Sequence, residues 1–225
     1  MRRRRFIILS SLNYYIAAML MVACETESYE TGQGEYSLMQ ADMADISVNN
    51  KKEAVNFVTD DNDSYQLTNP FTAKWIQTAD TTYRTIIYYN KVKDGRAEAV
   101  SVSTVVTLEP IAHWRLKEQP QDPVGFESAW LAKTRRYLNV GLLVKTGRIS
   151  DEELPHSIGL AQDTVITHAD GRHTAYYRLL HDQNDMPLYY TNRRYVSILL
   201  PQPLPDTIAL SLQTFVGTIQ RTFVP

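Results

Sequence analysis

Five histidines, His113, His156, His168, His173 and His181, are the side chains here best suited to proton transfer or metal binding near neutral pH. A zinc-protease helix needs two of them four residues apart with a Glu between, and no pair has that spacing. His168 and His173 flank Asp170-Gly171, which reads as the tip of a hairpin. His156 and His181 each fall at the edge of an expected strand and could meet in space. Such a pair is either a structural contact or, with an acid such as Asp163 or Asp182 close by, the start of a metal-assisted hydrolytic site. The run Asp60-Asp61-Asn62-Asp63 has the oxygens for calcium. It lacks the Gly at the sixth position and the Glu at the twelfth of a calcium-binding loop, so a solvated turn is expected. No Gly-x-Ser-x-Gly elbow and no Gly-x-x-x-x-Gly-Lys loop occurs. The remaining acids, Asp42, Asp45, Asp151-Glu152-Glu153, Asp163, Asp182 and Asp185, are scattered through turns. The expectation is a non-enzyme with no cofactor and no metal, in which no two carboxylates converge in a cleft.

The lone cysteine, Cys24, cannot form an intramolecular disulfide. It follows four consecutive arginines, Arg2 to Arg5, and an apolar run from Phe6 to Ala23 that Ser10, Ser11 and Asn13 interrupt. A basic start, an apolar middle and small residues at a boundary describe a secretory signal, and 18 residues are at the short end for a membrane span. Met21-Val22-Ala23-Cys24 resembles the lipobox of bacterial lipoproteins. The resemblance implies cleavage before Cys24 and diacylglyceryl modification of its thiol, an anchor that needs no transmembrane helix. A single acyl chain holds only marginally, at about 0.8 kcal/mol per buried methylene, whereas two or three hold stably. Removing the four arginines takes the formal net charge from −2 to −6. An acidic mature chain argues against nucleic-acid binding, which needs a basic face. Glu25, Glu27 and Glu30 beside the anchor resemble the surface-export signal of Bacteroidetes lipoproteins, and read equally as a solvated tether.

The elements beyond the tether are strands. The chain has 14 Tyr, and short apolar segments recur between turn residues. Segments 41–48, 54–58, 64–68, 82–89 and 99–108 are separated by Asn49-Asn50, the Asp60 to Asp63 cluster, the breaker Asn69-Pro70 and Asp94-Gly95. Five to six strands in this length suit a small OB-like barrel. Thr82 to Tyr89 carries bulky residues on both alternating sets and should be covered on both sides. Tyr65, Trp75, Tyr83, Tyr88 and Tyr89 fall on this block, and such aromatics could stack on sugars or simply pack the barrel. Residues 125–133 place Phe126 and Trp130 four apart, the spacing of a short helix. From Tyr137 onward, segments 137–144, 156–160, 175–182, 195–200 and 208–219 alternate as in a β-sandwich. The expected organisation is a signal peptide over 1–23, an acidic tether over 24–34, an OB-like barrel over 35–108, a connector over 109–136 and a sandwich over 137–225.

The second block carries YLNVGLLV (137–144), HSIGL (156–160), YYRLLHD (176–182) and RRYVSILLP (193–201). In this order, after a lipobox and an OB-like block, they resemble the NigD-like lipoproteins of Bacteroidales. The resemblance implies an all-β fold, an N-terminal OB domain followed by a β-sandwich. It also implies at most an immunity or accessory role in a bacteriocin operon, and it carries over no functional residues. The expected protein is lipid-anchored through Cys24 at the outer membrane, facing the periplasm or the cell surface. It would act as a non-catalytic binding or assembly module for an envelope protein or glycan. A hydrolase of envelope glycans or peptides and a bacteriocin-immunity protein are the alternatives.

Overall fold

A computed structural model describes residues 39–147 and 156–225. Cys24, the acidic tether and Asp151-Glu152-Glu153 lie outside the described residues. The fold is almost wholly β, as expected. Strands β1 (Gln40–Val48), β2 (Ala54–Thr59), β3 (Ser64–Phe71), β4 (Thr81–Val92) and β5 (Arg96–Thr104) close a barrel in the order β1-β2-β3-β5-β4. Its one parallel pairing, Gln66 opposite Arg96 and Leu67 opposite Ala97, joins β3 to β5, while β1 and β4 close the ring antiparallel. Turn chemistry sets the hairpins. Asn49 accepts the N–H groups of Lys51 and Glu53 on its side-chain oxygen, and Asp94 and Gly95 both take positive φ. Pro70 does not break β3. It sits beside a register shift against β2, where its missing N–H is tolerated.

The sandwich begins earlier than expected. Strands β6 (Val106–Leu108), β8 (Gly125–Leu131), β9 (Tyr137–Thr146) and β12 (Tyr190–Leu199) form one sheet in the order β6-β12-β9-β8. Strands β7 (Ile111–Ala112), β10 (Ser157–Thr167), β11 (His173–Asp182), β13 (Thr207–Thr214) and β14 (Gly217–Phe223) form the other, in the order β14-β13-β11-β10-β7. Val106 to Leu108 therefore belongs to the sandwich, not to the end of the barrel. The stretch 109–136, expected as a connector, supplies two strands and a short 3-10 turn at His113–Arg115. It is pinned by Asp122 N–H to the His181 carbonyl, His181 N–H to the Pro120 carbonyl and Val124 N–H to the Gln213 carbonyl.

The expected helix over 125–133 is the strand β8. Phe126, Ala129 and Leu131 pack on the sandwich core, and a bulge between Phe126 and Ser128 adds one residue to the strand. That extra residue puts Phe126 and Trp130, four apart, on opposite faces, so Trp130 points away from the core. A helix would have kept both on one face. Gly125 is needed where β8 crosses β9, because a Cβ there would lie 2.8 Å from the Leu143 Cβ.

Each part has its own core. Ile46, Phe57, Ile87 and Tyr89 fill the barrel; Leu138, Leu142, Ile198 and Leu210 lie in the sandwich, all essentially without exposure. The outer row of β4 decides how the two meet. Arg84 is buried against the sandwich, Ile86 is half-buried and Tyr88 is exposed, so this face is covered at one end only.

Candidate functional site

The seam between barrel and sandwich holds a buried ionic cluster that lines a cleft of about 440 Å³, with two more clefts beside it. Arg84 is its hub. Its guanidinium donates to Asp60 Oδ2 at 2.7 Å, Asn139 Oδ1 at 3.0 Å, Ser197 Oγ at 3.0 Å and Asp45 Oδ1 at 3.3 Å. It also stacks over the Tyr137 ring, 4.0 Å from the centroid. Asn139 donates to Asp60 at 2.6 Å, Ser197 donates to Asn139 at 2.7 Å, and Arg136 closes on Asp45 at 2.7 Å. Two barrel carboxylates are thus bound through one barrel arginine to polar groups of β9 and β12. Asp45 and Asp60 do converge beside a cleft, against expectation, because β1 and the β2–β3 turn are brought together only by barrel closure. Both are engaged as ion pairs, which fits a structural role. Asp60 and Asp61, the latter paired with Lys133 at 2.8 Å, leave the acidic turn without a free calcium-binding set. No group of three metal-ligating side chains occurs among the described residues.

A groove of about 350 Å³ opens beyond the hub. Barrel residues Ile86 and Tyr88 form one wall, and Trp130 and Tyr195 the other. Trp130 and Tyr195 meet edge to face at 6.1 Å. Tyr195 lies over Gly141, where a Cβ would come within 3.2 Å of its ring and 2.7 Å of Ser128 Oγ. The absent side chain is what lets the ring lie close to the sheet. Ile86 and Tyr195 also line the second cleft, of about 780 Å³, which reaches Arg194 and His156.

His156 and His181 do meet. Their rings are parallel, with Nδ1 of His156 2.9 Å from Nε2 of His181. The tautomers follow from one neighbour. His181 Nδ1 lies 3.1 Å from the Asp122 carbonyl, which can only accept, so Nδ1 carries the proton. With both rings neutral, His181 Nε2 is a lone pair, His156 Nδ1 donates to it, and His156 Nε2 is left as a buried lone pair without a partner. Burial, then the His181 ring and Arg194, hold the His156 imidazole below its ordinary value. Neither ring is hydrogen-bonded to a carboxylate. Asp163 is held by Arg178 through two bonds of 2.8 and 3.1 Å, and Asp182 accepts from the Asn184 N–H. The 168–173 stretch is a hairpin tip, with Gly171 at positive φ and Asp170 clamped by Arg172.

The five aromatics considered for binding are not brought together. Tyr65 stacks on Phe57 and Tyr89 meets it edge to face, at centroid distances of 5.2 and 5.0 Å, and the Tyr89 hydroxyl donates to Asp42 at 2.8 Å. Burial pushes the Tyr89 phenol well up. Trp75 packs edge to face against both Phe71 and Tyr83, and the Tyr83 hydroxyl accepts the N–H groups of Gln77 and Thr78. Tyr88 alone of the five reaches the groove. Its groove partners Trp130 and Tyr195 escaped the sequence reading because a helix was expected at one and a plain strand at the other. The alternation of 193–199 held a usable signal, since a Tyr and a Ser fall on the face away from the core.

Solved structures carry the same architecture. A NigD-like immunity protein from Bacteroides caccae superposes with a TM-score of 0.63 at 20% identity, covering 83% of this chain and 97% of that one. The chain has the NigD-like fold. A conjectured lipoprotein from Bacteroides fragilis gives a TM-score of 0.59 at 11% identity, covering 82% of this chain and 96% of its own. A protein of unknown function from Bacteroides vulgatus gives 0.60 at 13% identity, over 83% and 91%. No protein-family model matches the chain, and no curated protein matches it. No helix among the described residues is long and apolar enough to cross a membrane.

Proposed function

We propose that this chain is a lipid-anchored protein of the bacterial envelope, held at the outer membrane through Cys24, and that it works as a non-catalytic binding or assembly module. The observation that supports this reading is the seam groove. Tyr88, Trp130 and Tyr195 are partly exposed aromatics; Tyr88 and Tyr195 lie on β4 and β12, which the buried Arg84 cluster ties together, and Trp130 lies on β8, paired to β9. Rigid aromatics of this kind give contact area at little cost in conformational entropy, for a protein surface or a sugar ring alike. A photo-crosslinking amino acid at position 130, in native envelopes, tests it. A discrete adduct absent with the same residue at the distant Val165 is expected; identical adduct patterns from the two positions would refute a seam-directed partner. For the anchor, Cys24→Ala should abolish fatty-acyl labelling and leave uncleaved precursor.

Immunity to a bacteriocin is the second reading, favoured by the name of the Bacteroides caccae structure. It predicts that deletion sensitises the cell to a bacteriocin and that Trp130→Ala does the same. Unchanged killing in a deletion strain removes it.

A further inference from the structure

One segment, residues 106–112, runs along the open side of the sandwich and serves both sheets. Its first part, β6, pairs parallel with β12 at Val196, Ser197 and Ile198. Its second part, β7, pairs parallel with β10 at Ala161 and Gln162. Between them the chain changes sheets at Glu109-Pro110. A crossing strand of this kind covers only three of the ten residues of β12 and two of the eleven of β10. Among the described residues, no strand lies beside Tyr190–Tyr195 of β12 on the side that β6 covers further along. Alternate residues of that stretch present both N–H and C=O outward, the template on which another strand pairs.

The second cleft lies along this bare edge. Asn192, Arg194 and Tyr195 of β12 line it, with Ile158 of β10 and Val106 of β6. Val105 and Val106 line it where the covered part begins. Its charge is positive. Arg194 is exposed and has no acidic partner among the described residues, whereas Arg193 is already paired with Glu127. Among the described residues its one buried side-chain polar atom without a partner is His156 Nε2, which in the neutral ring needs a donor. An incoming strand supplies what is missing: backbone N–H and C=O groups for the edge, a carboxylate for Arg194, and an N–H or hydroxyl for His156. Natural sheets blunt an edge with charge, and a cation on a bare edge turns that defence into a selector for acidic segments.

We propose that the bare edge of β12 at Tyr190–Tyr195 accepts an extended acidic segment of a partner protein, which adds as a strand in line with β6. The proposal rests on the reading of the chain as a binding module and narrows its ligand to a peptide. Main-chain pairing would give the affinity, and Arg194 the choice of sequence.

Hydrogen exchange on the mature lipidated chain in detergent tests it. The probes are a nine-residue peptide alternating Glu with Val and Thr, and the same peptide with Lys for Glu. In the free protein the outward amides of 190–195 should exchange at least tenfold faster than those of Val196 to Ile198. The acidic peptide should slow them at least tenfold, the Lys peptide should bind at least tenfold more weakly, and Arg194→Glu should reverse that preference. N-methylation of one alternate set of peptide amides should abolish binding, and of the other set leave it intact. Amides already protected in the free protein overturn the proposal, because the edge is then covered. Equal binding of the two peptides, or binding that leaves these amides fast, overturns it too. A glycan adduct at position 130 together with no peptide effect would sink strand addition while leaving the module reading standing.

Discussion

Replacing Arg84 by Leu should be the most damaging conservative-volume change on the surface of the barrel. The Arg84 side chain is 3% exposed, and its partners Asp45 and Asp60 are 9% and 13% exposed. Breaking a buried ion pair by removing one partner costs about 3–5 kcal/mol, mostly because the opposite charge is left behind without compensation. Here two carboxylates are left, but neither is stripped bare. Asp45 keeps Arg136 at 2.7 Å and Tyr137 at 3.3 Å, and Asp60 keeps Asn139 at 2.6 Å. That support places the expected loss toward the lower end, about 3 kcal/mol. At roughly 2–4 °C per kcal/mol for a chain of this size, the melting temperature should fall by about 10 °C. Urea unfolding followed by far-ultraviolet circular dichroism gives the free energy directly. The triple change Arg84→Leu, Asp45→Asn and Asp60→Asn separates charge from packing. If stranded charge is the cause, it recovers more than half of the loss, since the three residues share one network and are not additive. Arg136→Ala, with a side chain 56% exposed, should cost about 1 kcal/mol or less. A loss below about 1 kcal/mol for Arg84→Leu would falsify the account of this cluster as the tie between barrel and sandwich. No recovery in the triple variant would place the cost in the Tyr137 stacking instead.

Gly141→Ala should destabilise the protein by about 1–3 kcal/mol and shift Tyr195 fluorescence, because the new methyl meets Ser128 Oγ at 2.7 Å with the Tyr195 ring above it. Stability should fall with acidity below about pH 6.5. The folded His156 is held below its unfolded value, so the unfolded chain takes up the proton first; the contribution is present above that value and lost as pH drops through the lowered one. Urea midpoints from pH 8 to 5 should flatten in His156→Gln, and an unchanged slope would count against the buried lone pair. Limited proteolysis should cut ahead of Gly34 and spare Pro120 to Pro123, whose backbone is bonded to His181 and followed by Val124 bonded to Gln213; early cleavage there contradicts the pinning of that stretch.

What could be read from the chain was local. Alternation over 41–48, 82–89, 137–144 and 208–214 marks strands because side chains on a strand alternate faces. Asp94-Gly95, Asn184-Asp185 and 168–173 mark turns because those residues tolerate positive φ. The lipobox resemblance around Cys24 is likewise contained in a few adjacent residues. The failures were also local in origin. Phe126 and Trp130 carry a helical spacing, and only pairing with β9, bulge included, makes the segment a strand. Pairing decides over propensity there, because a strand's stability comes from its neighbour.

The seam belongs wholly to the tertiary structure. Arg84 lies 24 residues from Asp60, 39 from Asp45, 55 from Asn139 and 113 from Ser197. No window of sequence contains that set, and nothing in the alternation of β4 distinguishes an outward Arg bound for burial from one bound for water. Tyr88, Trp130 and Tyr195 are in the same position: Tyr88 and Tyr195 read as ordinary strand aromatics and Trp130 as part of a short helix until β4, β8 and β12 line one groove. The stretch of β12 without a neighbouring strand among the described residues depends on where a three-residue strand from elsewhere in the chain stops. The sequence by itself determined the strands whose alternation is regular and the turns between them, because φ, ψ and side-chain alternation are properties of neighbours along the chain. Which faces are buried, which charges are paired and which edge is open were decided only when strands far apart in sequence packed together.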